Sequence, residues 1–70
     1  MMDKIIKSKL ILLGKNVGWL AERLGISKTA LYKKLNGTTR LTLDEARIIT
    51  NALDLSTDEI MEIFFENKVE

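Results

Sequence analysis

Residues 16–40, NVGWLAERLGISKTALYKKLNGTTR, are the most informative segment of the 70-residue chain. It predicts two short helices, over 16–24 and 27–36, joined by a tight turn at Gly25. A glycine can adopt the left-handed backbone conformation that such a turn needs, and the short connection forces the helices to cross steeply. Ser27 is a residue of the type that caps helix N-termini. The same spacing would also suit a helical hairpin in any small bundle.

The second of these helices separates an apolar face from a basic one. At about 100° per residue, Ala30, Leu31 and Leu35 fall on one side. The other side carries the cations, hydroxyls and amide of Lys28, Thr29, Tyr32, Lys33 and Asn36. From 27 to 40 there are four basic residues and no acid, whereas a merely solvated helix face usually mixes charge signs. Such a face suits the DNA major groove, where cations and donors meet phosphates and base edges.

The net charge of +1 conceals a strong asymmetry along the chain. Up to Arg40, nine basic residues and two acidic ones give +7, whereas from Leu41 onward two basic and eight acidic residues give −6. This division predicts a basic face for a polyanion and an acidic face directed away from it. The alternative is that a small helical protein has acquired uneven charge by chance.

Three further helices complete an all-α prediction, since no β-rich stretch is present. The first covers about residues 3–13, with Asp3 as its N-cap and Gly14 just after its end. Its apolar side is made of Met2, Ile5, Ile6, Leu10 and Leu13. Two capping boxes, Thr42-Leu43-Asp44-Glu45 and Ser56-Thr57-Asp58-Glu59, open a fourth helix that ends at Leu53 and a fifth that runs through Phe65.

The composition excludes several classes of site. The chain contains no Cys and no His, so it offers no disulfide and neither the commonest general base nor the commonest zinc ligand. Asp58 and Glu59 suit the first turn of a helix, and Glu62 and Glu66 form a solvated stripe, so these acids indicate no metal or acid–base site. We therefore expect no enzyme activity, no cofactor and no small-molecule ligand.

The apolar runs are too short for a membrane location. None approaches the roughly 20 residues of a membrane span, and the N-terminus lacks the features of a signal peptide. Seventy residues suffice for one domain. We therefore expect a single cytoplasmic domain over residues 1–70 with no membrane partner.

Residues 16–40 resemble the helix-turn-helix of the phage repressor and Cro family, also called the XRE family. The matching features are Ala21, Gly25-Ile26-Ser27, Leu31, Asn36-Gly37, a polar loop after them and the Leu53-Asp54-Leu55-Ser56 junction. The likeness spans about residues 3–65, with five helices in matching order and the motif itself over about 16–36. It implies a compact five-helix bundle of the lambda-repressor-like type. It also implies a sequence-specific transcriptional regulator that binds double-stranded DNA and acts by occupying an operator.

The resemblance further implies which residues contact DNA. The expected DNA-contacting residues are Asn16, Ser27, Lys28, Thr29, Tyr32, Lys33, Asn36, Thr38, Thr39 and Arg40. The expected residues between Ser27 and Lys33 match positions that touch bases and nearby phosphates. The expected residues between Asn36 and Arg40 match a loop that contacts the DNA backbone. Asn16 matches the start of the first motif helix, which usually meets a phosphate. Lys34 stands where an apolar residue is common, so we expect its stem to be buried and its ammonium to extend outward.

Two aromatic residues of the motif have alternative interpretations. Trp19 either packs under the first helix or lies on the surface at a dimer or DNA edge. Tyr32 either contacts DNA, through its hydroxyl on a phosphate or base or through its ring on a thymine methyl, or it shields aliphatic neighbours.

The fifth helix carries more apolar surface than one small core needs. Ile60, Met61, Ile63, Phe64 and Phe65 cover an arc of about 200°, whereas packing on one domain needs about 100°. The simplest partner is a second copy of the chain, with Met61, Phe64 and Phe65 in the interface and two recognition helices about 34 Å apart. Alternatively, a thin core uses all of this surface, or the 63–65 segment docks another protein and the basic face is incidental.

Overall fold

Five helices make up most of residues 2–67, which are the residues that the computed structural model describes, apart from the side chains at 2, 64, 66 and 67. The helices are α1 (Met2–Leu12), α2 (Val17–Leu24), α3 (Lys28–Leu35), α4 (Leu43–Leu53) and α5 (Thr57–Asn67). No strand occurs between residues 2 and 67. The predicted all-α class with five helices is therefore confirmed.

Side-chain caps fix where α2 and α3 begin. Asn16 Oδ1 accepts a hydrogen bond from the Trp19 backbone N–H at 2.9 Å, and Ser27 Oγ accepts one from the Ala30 N–H at 3.0 Å. Gly25 ends α2 in the left-handed region, at φ +70°. These bonds satisfy backbone groups that helix ends leave without partners, so the turn between the two helices has a defined geometry.

Both predicted capping boxes are present. The Thr42 backbone N–H donates to Glu45 Oε1 at 2.9 Å, and the Glu45 N–H donates to Thr42 Oγ1 at 3.1 Å. The Ser56 N–H donates to Glu59 Oε1 at 2.8 Å, and the Glu59 N–H donates to Ser56 Oγ at 3.2 Å. The bond from Ser56 also lowers the pKa of Glu59. The two boxes therefore fix the starts of α4 and α5.

The core is apolar and holds α2, α3 and α4 together. Leu31 and Leu35 of α3 are buried beside residues of the other four helices and of the connecting loops. These other buried residues are Ile6, Leu10, Val17, Leu20, Ala21, Leu41, Ile49, Leu53, Leu55 and Ile63. Helix α2 packs against α3 and α4, and α1 packs against α4 and α5. The inner face of α3 is thus anchored, which leaves its opposite face directed away from the core.

The ends of α1 differ from the prediction. Asp3 lies inside the first turn and is not the N-cap, because the helix already includes Met2. Leu13 is wrong as a core residue: it is 45% exposed. The helix ends at Leu12 and the chain turns at Gly14, where φ is +69°, so the helical spacing no longer sets the direction of Leu13. The side chain of Met2 lies outside the described residues.

Helix α5 buries only part of its apolar surface. Ile63 is buried and Ile60 partly so, whereas Met61 is 48% and Phe65 78% exposed. The side chain of Phe64, which was expected in an interface, lies outside the described residues. Nowhere from residue 2 to residue 67 is a helix long and apolar enough to cross a membrane.

Candidate nucleic-acid interface

The outer face of α3 is exposed along its whole length. Ser27, Lys28, Thr29, Tyr32 and Lys33 are all exposed, whereas Leu31 and Leu35 are buried on the inner side. The predicted separation of an apolar face from a face of cations and hydroxyls is therefore confirmed. None of these five side chains is packed inside the protein, so a duplex can reach them.

The start of α3 combines donors with a fixed backbone. The Ser27 oxygen is used as the cap of the helix, but its hydroxyl hydrogen can still be donated to an acceptor. The first turn of a helix also presents backbone N–H groups and a partial positive charge. Lys28 and Thr29 follow directly, so this end of α3 offers several donors and one ammonium to an anion.

The loop after α3 is shaped by its own side chains. Asn36 Oδ1 accepts hydrogen bonds from the Thr38 backbone N–H at 3.0 Å and from Thr38 Oγ1 at 2.6 Å. Gly37 takes a left-handed backbone conformation, at φ +86°. The amide oxygen of Asn36 is thus engaged inside the loop, while its amide N–H groups have the donor chemistry that a phosphate accepts. Thr38, Thr39 and Arg40 are all exposed.

Lys34 does not extend its ammonium outward, as the sequence led us to expect. Its Nζ lies 3.0 Å from Glu45 Oε1 and donates to the Arg40 carbonyl oxygen at 3.1 Å. Glu45 belongs to the capping box of α4, so Lys34 joins the C-terminal end of α3 to the start of α4 and holds the loop between them. Burial raises the pKa of Glu45, but hydrogen bonds from Thr42 and Lys34 outweigh this effect and lower the pKa overall.

Other cations near the motif rest on aromatic rings. Lys7 Nζ lies 5.9 Å from the centroid of the Tyr32 ring, and Lys15 Nζ lies 5.4 Å from that of Trp19. The Arg23 guanidinium carbon is 4.7 Å from the Trp19 centroid. Trp19 itself is partly buried against the core. Trp19 therefore combines the inward-packing and the surface alternatives: it packs partly against the core, and its ring still lies near cations at the surface.

Some basic residues of the N-terminal part form ion pairs with acidic residues of the C-terminal part. Lys9 Nζ lies 3.2 Å from Glu59 Oε1, and Lys34 is paired with Glu45 as described above. Each pair joins a base of the first forty residues to an acid of the last thirty. The electrostatic division therefore helps to hold α1 and α3 against the C-terminal helices, a use that the composition did not reveal.

Comparison with known proteins supports the motif. A helix-turn-helix family model matches residues 6–60, from within α1 to within α5, and includes the whole of the predicted motif. No curated protein and no solved structure matches the chain significantly.

Proposed function

The chain belongs to the XRE-type helix-turn-helix family, a family of DNA-binding regulators. We propose that it is a sequence-specific regulator of the phage repressor and Cro type. In this proposal the protein occupies an operator and blocks RNA polymerase sterically. The observation that carries it is the exposed face of α3, where cations and hydroxyls are presented by a helix anchored through Leu31 and Leu35.

We divide the proposed DNA contacts into those that read base edges and those that position the protein on the DNA backbone. We assign Lys28, Thr29 and Tyr32 to base edges and adjacent phosphates, since an α-helix fits the major groove and these side chains stand on its outer face. Lys33 and the loop with Arg40 are assigned to phosphates, which fix the register of the protein on the duplex but carry no sequence information. Ser27 and Asn16 supply donors at the two helix starts.

A salt titration of binding to random double-stranded DNA tests the proposal. If several cations neutralise phosphates, the logarithm of the affinity falls linearly with the logarithm of salt concentration, with a slope of about −0.9 per phosphate contact. We expect Lys33→Gln to reduce that slope by about 0.9. As a matched control, Arg47→Gln removes one exposed cation from α4 and is expected to leave the slope unchanged. Affinity that does not respond to salt would favour a protein-interaction module instead.

We also propose that two copies bind one operator through α5. The exposed Met61 and Phe65 support this interface, and Phe64 belongs to the same proposal. A two-fold arrangement would place two copies of α3 about 34 Å apart, one helical turn of DNA. This spacing requires an operator with two symmetric half-sites.

Phe65→Ser is expected to weaken the dimer by roughly 100-fold or more, because burial of a phenylalanine side chain contributes about 1.5–3 kcal/mol and a two-fold interface loses two of them. Analytical ultracentrifugation measures the dimer dissociation constant, and binding to one half-site serves as the readout for an intact α3. The control is Leu12→Ser, on an equally exposed leucine of α1 (80%). If the parent protein is monomeric both free and on DNA, the α5 dimer is wrong.

A further inference from the structure

A basic groove lies beside α3, formed by the second half of α1, the start of α2 and the first turns of α3. Its volume is about 320 Å³, and it is lined by Lys7, Ile11, Lys15, Asn16, Lys28 and Tyr32, together with the buried Leu10 and Val17. Of the described residues that line it, three carry an ammonium group and none carries a carboxylate. Its volume is at the lower end of that of ligand-sized clefts.

We propose that this groove binds a phosphodiester segment of the same DNA that α3 reads, with Lys7 and Lys15 as the phosphate-binding cations. The inference rests on the proposed function, since Lys28 and Tyr32 belong both to the groove and to the outer face of α3. A strand seated against α3 therefore passes the groove. Neither Lys7 nor Lys15 was among the residues that the resemblance assigned to DNA.

Among the side chains that the structure describes, no carboxylate pairs with Lys7 or Lys15, and each ammonium instead lies near an aromatic ring. Lys7 rests over Tyr32 and Lys15 over Trp19, within the roughly 6 Å at which an ammonium is attracted to an aromatic ring. An aromatic ring restrains a cation but contributes no negative charge, so the full charge remains for a phosphate. Lys9 and Lys34 differ, because their ammonium groups lie against the carboxylates of Glu59 and Glu45. The protein thus separates lysines that hold the fold from lysines that are positioned for an anion.

The apolar part of the groove matches the rest of a nucleotide backbone. Three aliphatic residues line the groove: Ile11, which is 76% exposed, and the buried Leu10 and Val17. A deoxyribose presents carbon atoms next to each phosphate, so an aliphatic side chain beside the ammonium groups contacts the sugar while the lysines contact the phosphate oxygens. This combination fits a phosphodiester better than it fits an acidic peptide, whose carboxylates need no apolar neighbour.

The double variant Lys7→Gln/Lys15→Gln tests the proposal by salt titration on both random DNA and the preferred site. We expect the salt slope to fall by about 1.8, which is two contacts at about 0.9 each, and affinity to fall equally for all sequences. The preferred site should be unchanged, because backbone contacts carry no sequence information. Circular dichroism verifies that the variant is folded. Arg47→Gln, which removes one cation outside the groove, is the control and should leave the slope unchanged.

Three outcomes distinguish a failure of the groove proposal from a failure of the proposed function. An unchanged slope in a folded double variant, with the parent still salt-dependent, overturns the groove and leaves the proposed function intact. A parent protein with no salt dependence overturns the proposed function itself. Inorganic phosphate, added at constant ionic strength, is monitored through the NMR signals of residues 7 and 15. If it saturates the groove while the DNA slope of the double variant equals that of the parent, the groove binds free anions and the DNA assignment is wrong.

Discussion

Replacement of Leu31 by alanine is expected to leave most of the protein unfolded at room temperature. Leu31 is fully buried, with 0% of its surface exposed, and lies in the core cluster that joins α3 to the other helices. Truncation of a buried leucine costs about 2–5 kcal/mol. A core of this size rarely supplies more than about 3–5 kcal/mol in total. The loss is therefore comparable with the whole free energy of unfolding.

Urea denaturation followed by circular dichroism measures this effect. The matched control is Leu12→Ala, which removes the same atoms from a leucine that is 80% exposed, and it should change the free energy of unfolding by less than about 0.5 kcal/mol. If Leu31→Ala were no more destabilising than Leu12→Ala, α3 would not be anchored through this residue. The orientation of its outer face would then have to be reconsidered.

The second large effect concerns the outer face itself. We expect Lys28→Ala and Thr29→Ala each to lower affinity for the preferred DNA site by roughly 5- to 150-fold, because a good base contact contributes about 1–3 kcal/mol. Both side chains are exposed, so neither change should unfold the protein. Affinity for random DNA should fall much less for Thr29→Ala, which leaves the charge unchanged.

Competition titrations with the preferred site and with sites altered at single base pairs measure these losses. Arg47→Ala controls for the loss of one positive charge, since Arg47 lies on α4 in the acidic part of the chain. Arg40→Ala is a second comparison, expected to weaken binding to all sequences about equally. If Lys28→Ala and Thr29→Ala weakened all sequences in the same uniform way, α3 would contact only the DNA backbone.

Local features of the fold were predictable from the sequence because their causes are local. A capping residue acts on amides two or three positions away, so Asn16, Ser27 and the two capping boxes marked the helix starts. A helical period places Leu31 and Leu35 on the side opposite Lys33, whatever the partner helix is. The exposed face of α3 followed from the same period, and its contact with DNA stays a prediction.

Features that depend on tertiary contacts were missed or wrong. Lys34 was expected to point outward, but the fold brings Glu45 within 3.0 Å of it. The spacing of residues along the chain does not predict a contact between separate helices. Leu13 was assigned to the core because the helical pattern was extended one residue beyond the true end of α1. The groove beside α3 was missed because it too depends on contacts between separate parts of the chain: its lysines come from α1, from the turn after it and from α3.

Selection of bound sites from random double-stranded DNA, by the parent protein and by the Lys28→Ala/Thr29→Ala double variant, tests whether the outer face of α3 reads DNA bases. We expect the parent to enrich one motif, with two symmetric half-sites about one helical turn apart, and the variant to lose base preference at one or two positions in each half-site. Enrichment of the same motif at full strength by the variant would contradict this expectation, as would the absence of any motif with the parent.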